Sequence, residues 1–169
     1  MSTTAVVAVN EYLETSYRPD CEYIDGELLE RNVGELDHSR MQMLLAQYLF
    51  SKEKQLSIFV VPEQRVQVKS KRFRVPDILV VTGARPSTPV LQEPPFLCIE
   101  ILSSRDSMEQ MQDRIDDYLA FGVPNVWIVN PRQRRAFSCT TEGMREAKDG
   151  ILRTINPDIA VPIFELESA

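Results

Sequence analysis

Two acidic residues stand where the pattern calls for apolar ones. In RVPDILVV, residues 74–81, Asp77 opens the apolar run Ile78 to Val81. In FLCIEILSS, residues 96–104, Glu100 interrupts a strand-like run. Strand alternation puts Val75, Asp77, Leu79 and Val81 on one face of the first segment. It puts Phe96, Cys98, Glu100 and Leu102 on one face of the second, with Leu97, Ile99 and Ile101 on the other. Both faces of the second strand are apolar, so Glu100 is expected inside the core. A buried carboxylate is costly unless it meets a cation, a proton or a set of donors. Each residue taken alone has a structural explanation: Asp77 as a cap at a strand start, Glu100 as the partner of a core arginine. On adjacent strands, however, the two would face one pocket and repel unless a divalent ion lay between them. Oxygen-only ligands suit a hard ion such as Mg²⁺, with Mn²⁺ as an alternative. Pro76 has no N–H to give to a ladder and suits the first residue of a strand or an edge.

The elements that must hold these residues can be read from the pattern. A short helix is expected over about residues 4–14, then a hairpin in CEYIDGELLER, where Asp25-Gly26 supplies a tight turn. In HSRMQMLLAQYLFSKEK, Met41, Leu44, Leu45, Tyr48 and Leu49 recur at helical spacing, with Asp37 as the expected N-cap. SIFVVP, EQRVQVK, RVPDILVV and FLCIEILSS read as strands, and the proline-rich ARPSTPVLQEPP as a loop. Ser107 with Gln110 forms a capping box, and Gly122 stands just past the end of the helix they open. Its stripe is Met108, Met111, Ile115, Tyr118 and Leu119. NVWIVN, RRAFSCTT, MREAK and ILRTI complete the strands, with turns at Glu142-Gly143 and Asp149-Gly150. This order predicts an α/β (α+β) fold, a central mixed sheet flanked by helices with an N-terminal hairpin.

The 169 residues suit one domain, 1–169, and 43% apolar content can build a core. No apolar run approaches the roughly 18 residues of a membrane span, and MSTTAVVAVNEYLE lacks the pattern of a signal peptide. Cys21, Cys98 and Cys139 are scattered, which argues against disulfides and zinc and for a cytoplasmic setting. A net charge of -6 does not suggest a general nucleic-acid binder, but leaves room for a local basic strip.

The pair Pro76-Asp77 followed by Glu100-Ile101-Leu102-Ser103 resembles the signature of the PD-(D/E)XK nuclease superfamily. More closely, the chain resembles the Uma-type restriction endonuclease family, which has a restriction-endonuclease-like fold. The likeness runs through five blocks in order: CEYIDGELLE, His38 opening a helix, RVPDILVV, FLCIEILSS and DRIDDYLAFGVPNVWIVNP. It implies that Asp77 and Glu100 bind metal and that the backbone carbonyl of Ile101 is a further ligand. It implies that Glu22 joins the metal shell through water and that His38 lies near the site; the bland reading of His38 is a helix-start residue. It also implies a DNA phosphodiester as substrate and makes a homodimer plausible.

The sequence departs from the pattern where the superfamily commonly has lysine, two residues after the glutamate: here that residue is Leu102. In the Uma-type family the lysine has moved to the next helix, four residues before a tyrosine, and here Arg114 holds that place before Tyr118. At 100° per residue Arg114 lies about 40° from Tyr118 and about 60° from Met111, so it borders the buried stripe. Arginine does not give up its proton, so it can hold a phosphate but is a poor base. Its structural alternative is an ion pair with Glu100 or Asp77. Asn130 stands where the family often has aspartate. For DNA contact the candidates are Lys69, Lys71, Arg72 and Arg74, with Arg132, Arg134 and Arg135 as a second cluster, or else each is a solvated turn. The competing readings are a non-catalytic relative, in which Arg114 has ended hydrolysis, and an interaction protein whose carboxylates are salt-bridged to arginine.

Overall fold

The computed structural model describes residues 6–32 and 34–168. Its centre is a mixed sheet. Strands β3 (Ile58–Pro62), β6 (Ile78–Thr82), β7 (Leu97–Ile101), β8 (Asn125–Asn130), β9 (Arg135–Thr140) and β10 (Gly143–Glu146) lie in the order β10-β9-β8-β7-β6-β3. Only the β7–β8 pair is parallel. A parallel pair needs a crossover, and helix α4 (Met108–Phe121) provides it. Helix α2 (Leu36–Ser51) covers the other face, followed by the short α3 (Glu53–Leu56).

Beside this sheet lies a smaller antiparallel one, β2-β1-β5-β4, built from β1 (Cys21–Ile24), β2 (Glu27–Glu30), β4 (Val66–Lys69) and β5 (Arg72–Arg74). Helix α1 (Val9–Glu14) places Tyr12 against Tyr23 and Phe73 of this sheet. A third pair, β11 (Ile151–Arg153) with β12 (Ala160–Pro162), adds Leu152 and Val161 to the α2-side core.

Side-chain alternation assigns the two faces. Ile78, Val80, Leu97, Ile99, Ile101 and Trp127 pack toward α2, with Met41, Leu45 and Leu49. Leu79, Cys98, Val126 and Ile128 pack toward α4, with Met111, Ile115 and Tyr118. Glu100 shares its parity with Cys98 and meets Tyr118 on the α4 side, as alternation predicts, whereas Asp77 precedes β6 and meets His38 of α2.

Much of the expected order is present, including the Asp25-Gly26 turn, with positive φ at both residues, and the Ser107–Gln110 capping box. Three expectations change. The first helix begins at Val9; residues 4 and 5 of the expected span lie outside the described residues. Asp37 is not the N-cap of α2: Glu35 holds that position and Asp37 lies in the first turn. Glu35 makes no cap bond because its carboxylate instead accepts from the backbone N–H and hydroxyl of Ser104. Third, RVPDILVV is not one strand. Arg74 ends β5 in the small sheet, Ile78 begins β6 in the large one, and Val75-Pro76-Asp77 passes between them.

Candidate active site

That passage between sheets positions Asp77. Strands β6 and β7 pair with Ile78 opposite Ile99 and Leu79 opposite Cys98. Continuing this register by one residue sets Asp77 opposite Glu100. Both line a cavity of about 110 Å³, together with Ile101, His38, Arg31 and Arg114 among others.

Asp77 is saturated with donors. Its Oδ2 accepts the backbone N–H of Ile101 at 2.7 Å and faces His38 Nε2 at 3.2 Å. Its Oδ1 is paired with Arg31. Even its backbone carbonyl is held, by Gln42 Nε2 at 3.0 Å and the N–H of Glu63 at 3.2 Å. Burial would lower the His38 pKa, but the hydrogen bond to Asp77 and the charge of Asp77 prevail and hold it above its ordinary value.

Glu100 is far less provided for. Its Oε1 accepts from the Tyr118 hydroxyl at 2.6 Å, and the nearest ion-pair atom among the described residues is Arg114 Nη1, 4.0 Å from Oε2. Burial pushes the carboxyl up to about 8, against the pull of Arg114 and with a further push from Asp77. The Tyr118 hydroxyl is raised too, first by burial and then by Glu100.

Arg114 reaches the cavity from the inner side of α4. Its Nε lies 3.4 Å from Glu22 Oε2, and its Nη1 donates to Asp106 Oδ1 at 3.2 Å. Burial opposes the charge, but Glu100 and Glu22 keep this guanidinium firmly protonated. The expected alternative of an arginine against the carboxylates is therefore divided. Arg114 is only distantly related to Glu100, while Arg31, which the sequence did not single out, pairs with Asp77.

Glu22 is 1% exposed and stands behind Arg114. It accepts from Arg74 Nη1 at 2.7 Å and from the N–H of Val75 at 3.2 Å. Its place is thus that of an anchor for two arginines. Ile101 lines the cavity, and its N–H donates to Asp77.

The basic residues are largely committed within the fold. Lys69 Nζ and Arg72 Nη1 contact Asp117 Oδ1 at 3.1 Å and 3.0 Å. Arg74, only 3% exposed, lies between Asp117 and Glu22. Such a buried guanidinium cannot meet a backbone phosphate at the surface, so Arg74 is an internal strut rather than a DNA contact. Lys71 is exposed. In the second cluster Arg134 pairs with Glu167 and Arg135 with Glu146, while Arg132 donates to the Ser103 carbonyl at 3.1 Å. Asn130 is engaged locally with Gln133 of the following turn.

Sequence reasoning missed Arg31, Gln42, Glu63, Asp106 and Asp117. Asp106 joins the site by accepting from the N–H and hydroxyl of Ser103 and from Asn32. A signal for it existed: an aspartate between the end of a core strand and the cap of a helix. Arg31 and Glu63 had none, since each reaches the site from a loop.

Asp77 and Glu100 are the oxygen donors in this cavity that could hold a hard divalent cation. Two buried carboxylates oppose each other, and the nearest counter-charge to Glu100 among the described residues is Arg114, at 4.0 Å. No group of three or more His, Cys, Asp or Glu suited to a metal is found among the described residues. An ion here would complete its shell with backbone oxygen and water, as Mg²⁺ commonly does.

Comparison with known proteins agrees with this architecture. A crystal structure described as a "putative nuclease belonging to DUF820", from Anabaena variabilis ATCC 29413, superimposes with a TM-score of 0.83. It is 22% identical, and the match covers 96% of this chain and 98% of that one. The fold is restriction-endonuclease-like. A family model, Uma2, described as "Putative restriction endonuclease", matches residues 9–165. The chain belongs to that family. No curated protein matches it. No helix among the described residues is long and apolar enough to cross a membrane.

Proposed function

We propose that the protein is a Mg²⁺-dependent endonuclease that hydrolyses DNA phosphodiester bonds at the Asp77–Glu100 cavity. The observation that carries this reading is the meeting of those two carboxylates, one on β7 and one just before its partner β6, in a polar cavity walled by two guanidiniums. Asp77, Glu100 and the carbonyl of Ile101 would hold the ion. When bound, Mg²⁺ polarises a phosphate and lowers the pKa of attacking water. The chain's own groups do the rest. Arg114 is fixed by Glu22 and Asp106 with its charge directed at the cavity, where it offsets negative charge building on the phosphate. Tyr118 holds Glu100 in place. His38 orients Asp77 and is the side chain on that wall able to exchange a proton. Manganese is an alternative ion for the same oxygen donors.

The test is cleavage of plasmid DNA with and without Mg²⁺. Asp77→Ala and Glu100→Ala should each lower the rate more than about a hundred-fold, beyond the usual effect of losing a supporting residue. Equal rates in wild type and both variants would sink the assignment. The fixed charge of Arg114 supports a second reading, a relative that binds nucleic acid without cutting it, because arginine cannot serve as the base. Cleavage that arises only in Arg114→Lys would favour that reading. Cutting both strands of a duplex calls for two sites, which a homodimer would supply; light scattering of the purified protein decides this.

A further inference from the structure

Arg31 follows β2 and enters the cavity from its rim. One end of its guanidinium pairs with Asp77 Oδ1, and Nη1 lies 3.4 Å from Glu63 Oε1. The Asp77 side chain is 4% exposed, whereas Glu63 is about half exposed, at 53%. Arg31 therefore spans the depth of the site, from a buried metal-ligand candidate to solvent.

The donors around Asp77 differ in how readily they can leave. The Ile101 N–H belongs to β7 and is fixed by the sheet. His38 belongs to the first turn of α2. Arg31 alone is held by its own rotatable side chain on a segment outside the strands and helices. A cation approaching Asp77 from the cavity meets Oδ1 already occupied by a positive group. Two cations cannot share that oxygen at low cost in a buried site. The guanidinium must yield, and Glu63 at the rim offers it a place.

We propose that Arg31 is a resident counter-ion of Asp77 that a divalent cation displaces, freeing the guanidinium to meet a substrate phosphate at the rim. This rests on the metal-dependent reading above. It explains how Asp77 is kept oriented before the ion arrives. It also gives the phosphate a second contact beside Arg114, one that exists only once metal is bound.

Calorimetric titration of Mg²⁺ into the full chain tests the displacement. With the competing charge gone, Arg31→Gln should bind Mg²⁺ about ten-fold more tightly than wild type, or better, while cleaving DNA more slowly. Equal or weaker binding in Arg31→Gln overturns the proposal. A second measurement needs no variant to fold. In wild-type protein the Arg31 Nε–H resonance should shift and lose protection from exchange at saturating Mg²⁺. The Arg74 Nε–H, held by Asp117 at 2.8 Å, should stay unchanged. An unmoved Arg31 resonance in metal-saturated protein overturns the displacement and leaves the metal site standing. Absence of Mg²⁺ binding in both proteins overturns the metal-dependent reading, and this proposal with it.

Discussion

Glu100 sits in the core and, among the described residues, has one close side-chain hydrogen bond, from Tyr118. The hydroxyl fixes one carboxylate oxygen and leaves the other directed to the cavity. Such supporting partners commonly tune metal affinity by ten- to a hundred-fold when lost. Tyr118→Phe keeps the ring that packs with Met111 and Ile115 and removes only this donor. It should weaken Mg²⁺ binding by roughly ten-fold in a calorimetric titration, with the fold retained by circular dichroism. Unchanged affinity would show that packing alone orients Glu100. The tyrosine was legible in the sequence as part of an apolar stripe, but its hydroxyl's task was not, because a stripe reports the ring and says nothing about its polar tip.

Helix α4 delivers Arg114 and Tyr118 to the site, so its ends matter to the site's geometry. Its N-terminus is secured by the Ser107 hydroxyl, which accepts the N–H of Gln110 at 3.1 Å. Ser107→Ala should cost about 1 kcal/mol in urea unfolding. At the other end Gly122 adopts φ +106, and an added Cβ would lie 3.3 Å from Pro94 Cγ. Gly122→Ala should therefore cost more than about 1 kcal/mol, because strain and crowding act together. A neutral effect at Gly122 would mean that the helix end can rearrange freely. Both capping features were legible in the sequence, since caps depend on residues only a few positions apart. The N-cap of α2 was misjudged for the complementary reason. Glu35 is recruited by Ser104, a residue far along the chain, and the local pattern cannot report that.

The small sheet and α4 are joined by a buried network: Glu22 on β1, Arg74 on β5 and Asp117 on α4, with Lys69 and Arg72 at its outer edge. Removing one partner of such a network leaves the others uncompensated. Asp117→Asn should destabilise the protein by about 3 kcal/mol in denaturant unfolding. The pH dependence follows from the same group. Burial would raise the Asp117 carboxyl, but hydrogen bonds from Arg74, Lys69 and Arg72 overcome this and hold it below its ordinary value of 3.8. A carboxyl depressed in the folded state stabilises above its unfolded pKa and loses that contribution as pH falls through the folded one. Wild type should thus lose stability relative to Asp117→Asn as pH is lowered through and below about 4. A constant difference from pH 7 to pH 2 would assign the network no ionic role.

The sequence by itself determined the strands, the helices, their apolar faces and the presence of two carboxylates within the core. Those properties follow from periodicity, which the backbone imposes over a few residues. It also marked His38 and Arg114 as neighbours of the site, through the resemblance of their blocks. Only the tertiary structure decided which charges meet. Arg31 and Asp77 are separated by 46 positions, and Arg114 and Glu22 by 92. The pairing of charges depends on distance in space and on burial, and both are set by how the two sheets join. The same join moved Arg74 from an expected DNA contact to an internal strut, and turned the strand-like RVPDILVV into a passage that leaves Asp77 facing Glu100.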